Sequence, residues 1–124
     1  MRLVIPFEEI SKKDVPKVGG KTANIGEMIN KTGVPVPGGF AVTADAYRYF
    51  INYNKLQPKL NKELKRIKDP NDTKILRSVG KKVRSLIMNG KIPKDLKAVI
   101  EQNYDDLCKK YGKQVFVAVR SSAT

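Results

Sequence analysis

The chain has 124 residues, 40% hydrophobic and 30% charged, with 25 Lys and Arg against 12 Asp and Glu for a formal charge of +13. The apolar residues suffice for one modest core, and their helical spacing among the charges excludes a disordered tail. A single cysteine and no histidine exclude an internal disulfide and a zinc site, so Cys108 is expected to pack on a helix.

Leu3, Val4, Ile5 and Phe7 predict a short strand broken by Pro6, followed by a loop from Ser11 to Val18. Gly19 and Gly20 then open an amphipathic helix from Lys21 to Thr32, with Ile25, Met28 and Ile29 on one face and Gly33 placed to end it. Through Val34-Pro35-Val36-Pro37-Gly38-Gly39 the prolines remove N–H donors and restrict Val34 and Val36 to extended conformations. A stiff loop should therefore lead into a strand over Phe40 to Val42. Thr43 is a suitable N-cap for a helix with Tyr47, Phe50 and Ile51 on one face.

Leu56, Leu60, Leu64 and Ile67 recur at about one helical turn until Asp69-Pro70-Asn71-Asp72 interrupts them. Ile75, Leu76, Val79, Val83, Leu86 and Ile87 form the face of the next helix, which Asn89-Gly90 stops. Pro93 opens a further helix burying Leu96, Val99, Ile100, Leu107 and Tyr111 before Gly112. Val115-Phe116-Val117-Ala118-Val119 reads as a strand covered on both faces, with Arg120-Ser121-Ser122 at its end. The whole predicts one α/β (α+β) unit, several helices on a small sheet, that reads as truncated after Arg120-Ser121-Ser122-Ala123-Thr124.

Two places can carry chemistry. Gly19-Gly20-Lys21-Thr22 sets a flexible backbone and a cation at a helix N-terminus, where free N–H groups and the helix dipole favour an anion. It is not a P-loop, because Val15 stands where that pattern needs glycine. On spacing alone a plain glycine turn with a solvated Lys21 is the favoured reading. Arg120 follows an apolar strand, and its planar guanidinium can hold two phosphate oxygens. Ser121 and Ser122 can add donors or serve as ordinary turn residues.

Val18-Gly19-Gly20-Lys21-Thr22-Ala23-Asn24-Ile25-Gly26-Glu27-Met28, the segment Gly33 to Thr43, and Val117-Ala118-Val119-Arg120-Ser121-Ser122-Ala123-Thr124 occur in that order. Together they resemble the N-terminus of the phosphoenolpyruvate synthase family, the pyruvate, water dikinases. The resemblance runs from about Phe7 to Thr124 and is closer than to pyruvate, phosphate dikinase. It implies that residues 1–124 are the first subdomain of an ATP-grasp-like domain, holding ATP and, in the intact enzyme, magnesium. It carries over phosphate contacts to Lys21 and Arg120, with Gly19, Gly20, Thr22, Ser121 and Ser122 in support. Thr22, Asn24 and Ile25 depart from common family choices, and Gly38 replaces a frequent proline; none removes a charge. The phosphohistidine, the metal-binding carboxylates, the second ATP subdomain and the pyruvate-binding barrel belong to later segments, so neither a catalytic residue nor a metal ligand is expected here.

Other partners are weighed from charge and hydropathy. From Lys55 to Lys97 there are fourteen Lys or Arg against four Asp or Glu, a block read as a solvated basic face because no nucleic-acid-binding motif accompanies it. A stand-alone basic module for nucleic acid or a partner protein, and a related dikinase with another phosphate acceptor, are the alternatives. No apolar run approaches the roughly 20 residues of a membrane span and no signal-peptide core is present, which predicts a cytoplasmic address.

Overall fold

The computed structural model describes residues 2–33, 35 and 37–124, so the extended conformations expected of Val34 and Val36 lie outside the described residues. The chain divides into two compact units, residues 1–47 with 94–124, and residues 48–93. The fold is α+β: mainly helical, with one two-stranded sheet among the described residues.

In the first unit β1 (Val4–Pro6) pairs antiparallel with β2 (Phe40–Val42), in the register Val4 to Val42, Ile5 to Ala41 and Pro6 to Phe40. Pro6 closes the strand rather than breaking it, and a 3₁₀ turn over Phe7–Glu9 follows at once. The Phe7 N–H then resumes the cross-strand bonding with Gly39 O at 3.0 Å. Ile5, Ile10, Val18, Ala23 and Ala41 form the core of this unit, with Phe7 packed against it.

The loop expected from Ser11 to Val18 is instead a 3₁₀ turn (Lys12–Asp14) running into α1 (Val15–Val18). Ser11 and Asp14 form a reciprocal cap: the Ser11 N–H donates to Asp14 Oδ2 at 2.9 Å and the Lys13 N–H to Ser11 Oγ at 3.3 Å. Pro16 adds a preset φ in the first turn of α1. Helix α2 (Gly20–Glu27) follows, continued by a π-helical turn over Met28–Thr32 that Gly33 ends at φ 64°. Ile10 is tied to α2 from above, because Gly26 presents no side chain against it and Asn30 Nδ2 donates to Ile10 O at 2.9 Å.

Thr43 caps α3 (Ala44–Tyr53) as its sequence predicts, accepting the Ala46 N–H at 3.1 Å. Tyr47, expected on the apolar face, is exposed, whereas Ile51 is buried. In the second unit Ile51, Leu56 and Leu60 pack together with Phe50, Val83 and Leu86, from the end of α3, α4 (Gln57–Leu64) and α5 (Thr73–Met88). Leu64 falls on the solvent side, because α4 ends there, one turn short of Ile67. Asp72 caps α5 by accepting the Ile75 N–H at 3.3 Å, and Asn54 bonds both the N–H and the carbonyl of Lys91. Helix α5 contains five Lys or Arg and no carboxylate, and all five cations are exposed.

Helix α6 (Lys94–Tyr111) buries Leu96 and Leu107 in the first unit, and Cys108 sits half-buried on it as a free thiol. Tyr111 is not buried as expected; its ring is partly exposed while its hydroxyl accepts the Gly38 N–H at 2.8 Å. The strand expected from Val115 to Val119 does not form: the segment carries neither helix nor strand and is mainly exposed. Its apolar composition meets no pairing partner among the described residues, and without a ladder of cross-strand bonds a strand has no stability of its own. Among the described residues no helix is long and apolar enough to cross a membrane.

Two stability measurements check this packing. A Cβ at Gly26 would lie 2.5 Å from Ile10 O and 2.7 Å from Ile10 Cβ, so Gly26→Ala should cost roughly 1–3 kcal/mol in denaturant unfolding. The Asp14 carboxyl is held below its ordinary pKa, first by the Ser11 N–H and then by the Lys17 charge. A depressed folded-state pKa gives stability that is present above the unfolded value and lost as pH falls through the folded one. Asp14→Asn should therefore be less stable than the wild type at neutral pH, with the difference shrinking as unfolding is followed into the carboxylate range and below.

Candidate functional site

The site grows from the short link between α1 and α2. Val18 buries its side chain in the core, and the Gly19 N–H closes α1 by donating to Val15 O at 2.8 Å. Gly19 then takes φ 81°, a conformation that side chains strongly disfavour, and α2 begins at the next residue. This reversal leaves the first N–H groups of α2 without helical acceptors.

Two of those donors are met by the far end of the chain. The Gly20 N–H donates to Ala123 O at 3.2 Å, and the Thr22 N–H makes a long bond to Ser122 Oγ at 3.4 Å. Ala23 returns its N–H to Gly19 O at 3.0 Å, while the Lys21 N–H has no acceptor among the described residues. The approach is close enough that a Cβ on Gly19 would stand 2.3 Å from Ser122 Oγ and 2.6 Å from Ala123 O, whereas one on Gly20 would meet nothing within 4 Å. The two glycines are thus not equivalent: the first permits both the turn and the contact, and the second lies against empty space.

Gly19, Gly20, Thr22 and Ser122 are therefore brought together across about a hundred residues of chain. Lys21 and Arg120 are both exposed, and neither makes an ion pair among the described residues. Ser121 is exposed as well. The expectation of a helix N-terminus with free N–H groups is corrected in part, since Gly20 and Thr22 spend theirs on Ala123 and Ser122. Ser122 acts there as an acceptor that caps α2. Ala123 was not among the residues singled out from the sequence; it contributes through its backbone carbonyl, which leaves no mark on residue type.

Chemically the arrangement is one lysine and one arginine carried by two joined segments on an exposed surface, suited to a multivalent anion. A recess of about 140 Å³ is lined by Pro6, Gly38, Gly39, Phe40, Leu107, Lys110 and neighbours. It includes none of the turn residues. Among the described residues no group of three His, Cys, Asp or Glu side chains could hold a metal ion.

Residues 15–124 match the family model of the pyruvate phosphate dikinase AMP/ATP-binding domain. The chain is 46% identical over 125 residues to a probable phosphoenolpyruvate synthase of Methanocaldococcus jannaschii, an alignment covering 100% of this chain and 10% of that protein. It is 46% identical over 126 residues to a probable phosphoenolpyruvate synthase of Staphylothermus marinus, covering 99% and 15%. With the phosphoenolpyruvate synthase of Aquifex aeolicus it shares 44% over 126 residues, covering 98% and 15%. The chain spans only 10–15% of the length of these three relatives.

The unequal glycines give a paired prediction. Gly19→Ala combines a positive φ with the clash against Ser122 and Ala123, so it should cost roughly 1–3 kcal/mol and speed amide exchange at Gly20. Gly20→Ala should stay within about 0.5 kcal/mol of the wild type. Thermal unfolding with residue-resolved exchange reads both; equal effects of the two substitutions would contradict the docked turn.

Proposed function

The chain belongs to the family of pyruvate phosphate dikinase AMP/ATP-binding domains, and on that premise we propose that it is the ATP-binding part of a phosphoenolpyruvate synthase. That enzyme converts pyruvate, water and ATP to phosphoenolpyruvate, AMP and phosphate by way of a phosphohistidine. With no histidine in its sequence, this chain must leave that relay to other polypeptide. In this reading residues 1–124 are the first subdomain of an ATP-grasp-like domain, working in the cytoplasm with a second ATP subdomain, a phosphohistidine domain and a pyruvate-binding barrel.

The observation that supports it is the joining of the Gly19 turn to Ser122 and Ala123, which anchors the segment bearing Arg120 to the start of the helix bearing Lys21. Lys21 supplies a compact charge and Arg120 a planar fork for phosphate oxygens. Phosphoryl transfer places most of its demand on positioned positive charge. Gly19, Gly20, Thr22 and Ser122 hold the two segments in register, and Ser121 adds a hydroxyl beside Arg120. ATP fits the donor set, being a polyanion offered to uncompensated cations. The described residues supply no carboxylate cluster for magnesium, so its ligands would come from outside this chain.

Exposed cations alone hold an anion weakly, each contact being worth about 0–1 kcal/mol in water. Calorimetry on the 124-residue chain with ATP and magnesium should therefore show weak binding or none, and pyruvate dikinase turnover should be absent. In a polypeptide of the relatives' length, Lys21→Ala or Arg120→Ala should lower ATP-dependent phosphohistidine formation by roughly 100- to 1,000-fold, as for loss of one preorganised transition-state contact. Micromolar binding by the chain alone, or near-normal turnover of both variants, would overturn the assignment.

A further inference from the structure

We infer that the outer face of α5 is a binding surface for a single nucleic-acid strand, gripped through its phosphates and without regard to base sequence. Residues 48–93 carry thirteen Lys or Arg against three Asp or Glu, an excess of ten within a chain whose whole formal charge is +13. The three carboxylates are all engaged close by: Glu63 pairs with Arg66 at 2.8 Å, Asp69 accepts the Asn71 N–H at 2.9 Å, and Asp72 caps α5. None of the five cations of α5 makes an ion pair among the described residues.

Four of these cations stand in line. Lys74, Arg77, Lys81 and Arg84 recur at intervals of three, four and three residues on the side of α5 opposite Val79, Val83 and Leu86, which sets charges about 4.5–6 Å apart over about 15 Å of helix. On one flank Arg66 reaches across from beyond α4 to donate to Ser78 Oγ at 3.1 Å, adding a cation between Lys74 and Lys82, which lie one turn either side of Ser78. On the other flank Gly80 stands inside the helix, a position where glycine is disfavoured against alanine. Outside the helix's own backbone, the atoms near the place of its missing Cβ belong to Arg84, whose Nη1 lies 3.2 Å away. The bare face of Gly80 thus lets Arg84 lay its guanidinium back along the helix, one turn nearer Arg77.

The fold gains nothing from this alignment. Like charges three or four residues apart repel along a helix, and Lys74 stands in the first turn, where the helix dipole disfavours a cation. A partner whose negative charges recur along one line removes both penalties, and a phosphodiester strand is such a partner. A single strand can follow a straight stripe, whereas each strand of a duplex curves away from it. The arginine forks favour the oxygens of a phosphate, and an acidic protein segment offers its carboxylates at less regular spacing. A lipid surface fits less well, because Val79, Val83 and Leu86 pack inward and are not free to insert. Helix α5 carries no aromatic residue to stack on a base, so recognition rests on charge. The surface is independent of Lys21 and Arg120, which lie outside residues 48–93.

Fluorescence anisotropy of a labelled oligouridylate of about twelve nucleotides, titrated with the 124-residue chain in about 50 to 200 mM salt, tests this. Neutralising four phosphates gives a slope of about −3 in log affinity against log salt. Arg77→Ala combined with Arg84→Ala should weaken binding by about tenfold or more and roughly halve that slope. Lys12→Ala combined with Lys13→Ala, the same loss of charge outside residues 48–93, should change affinity by less than about twofold. Gly80→Ala should raise the unfolding midpoint and yet weaken binding by about threefold, an opposition that a purely structural glycine does not produce. No binding at the lowest salt, equal losses from the two paired variants, or unchanged binding by Gly80→Ala would overturn the inference. Displacement of the oligonucleotide by polyglutamate of equal charge at a lower concentration would overturn it in favour of an acidic protein partner.

Discussion

Gly19 has φ 81° and nothing beyond Cα, and both properties are used at once. The positive φ turns the chain sharply between α1 and α2, so that the first donors of α2 face outward. The missing Cβ then lets Ser122 and Ala123 approach to a distance no side chain would tolerate. Two segments a hundred residues apart meet at this point, and the placement of Ser122 and Ala123 depends on it. The hydrogen bonds involved are few and one is long, so the contact is held as much by shape as by bond strength.

The core that supports this turn is small. Val18 and Ala23 bracket Gly19 and are both buried beside Ile5, Ile10 and Ala41, so the turn is fixed from below by apolar packing and from above by the docked tail. Ile10 is the centre of that cluster, fully enclosed and pressed against the bare face of Gly26. The same economy appears at the Ser11–Asp14 cap and at Glu27, whose carboxylate takes the Lys31 charge and the Lys12 N–H and is held below its ordinary pKa by them in that order. The Glu27 contacts tie the end of α2 to the 3₁₀ turn at Lys12–Asp14.

Positive charge is held in two different structural settings. Lys21 and Arg120 sit beside a fixed backbone junction, whereas the cations of α5 stand on a solvated helix face opposite its apolar residues. Like charges three or four residues apart slightly weaken an isolated helix, and α5 forms nonetheless because Val79, Val83 and Leu86 pack inward. Junction and face therefore differ in what holds their cations in place: backbone geometry in one case, only the helix in the other.

The sequence by itself determined the helices, because a period of 3.6 in apolar residues and start and stop signals at Thr43, Asn89-Gly90 and Pro93 are local facts that a helix can satisfy within its own length. It also determined β2 and the two motifs that carry Lys21 and Arg120. The helical character of residues 12–18 was legible in Ser11, Asp14 and Pro16, a capping signature that the two following glycines obscured. Tertiary structure alone decided that Gly20 and Thr22 give their N–H groups to Ala123 and Ser122, since a backbone carbonyl has no signature in residue type. It also decided that Val115 to Val119, strand-like in every residue, forms no strand here: a helix closes its hydrogen bonds within itself, but a strand must find them on a neighbour.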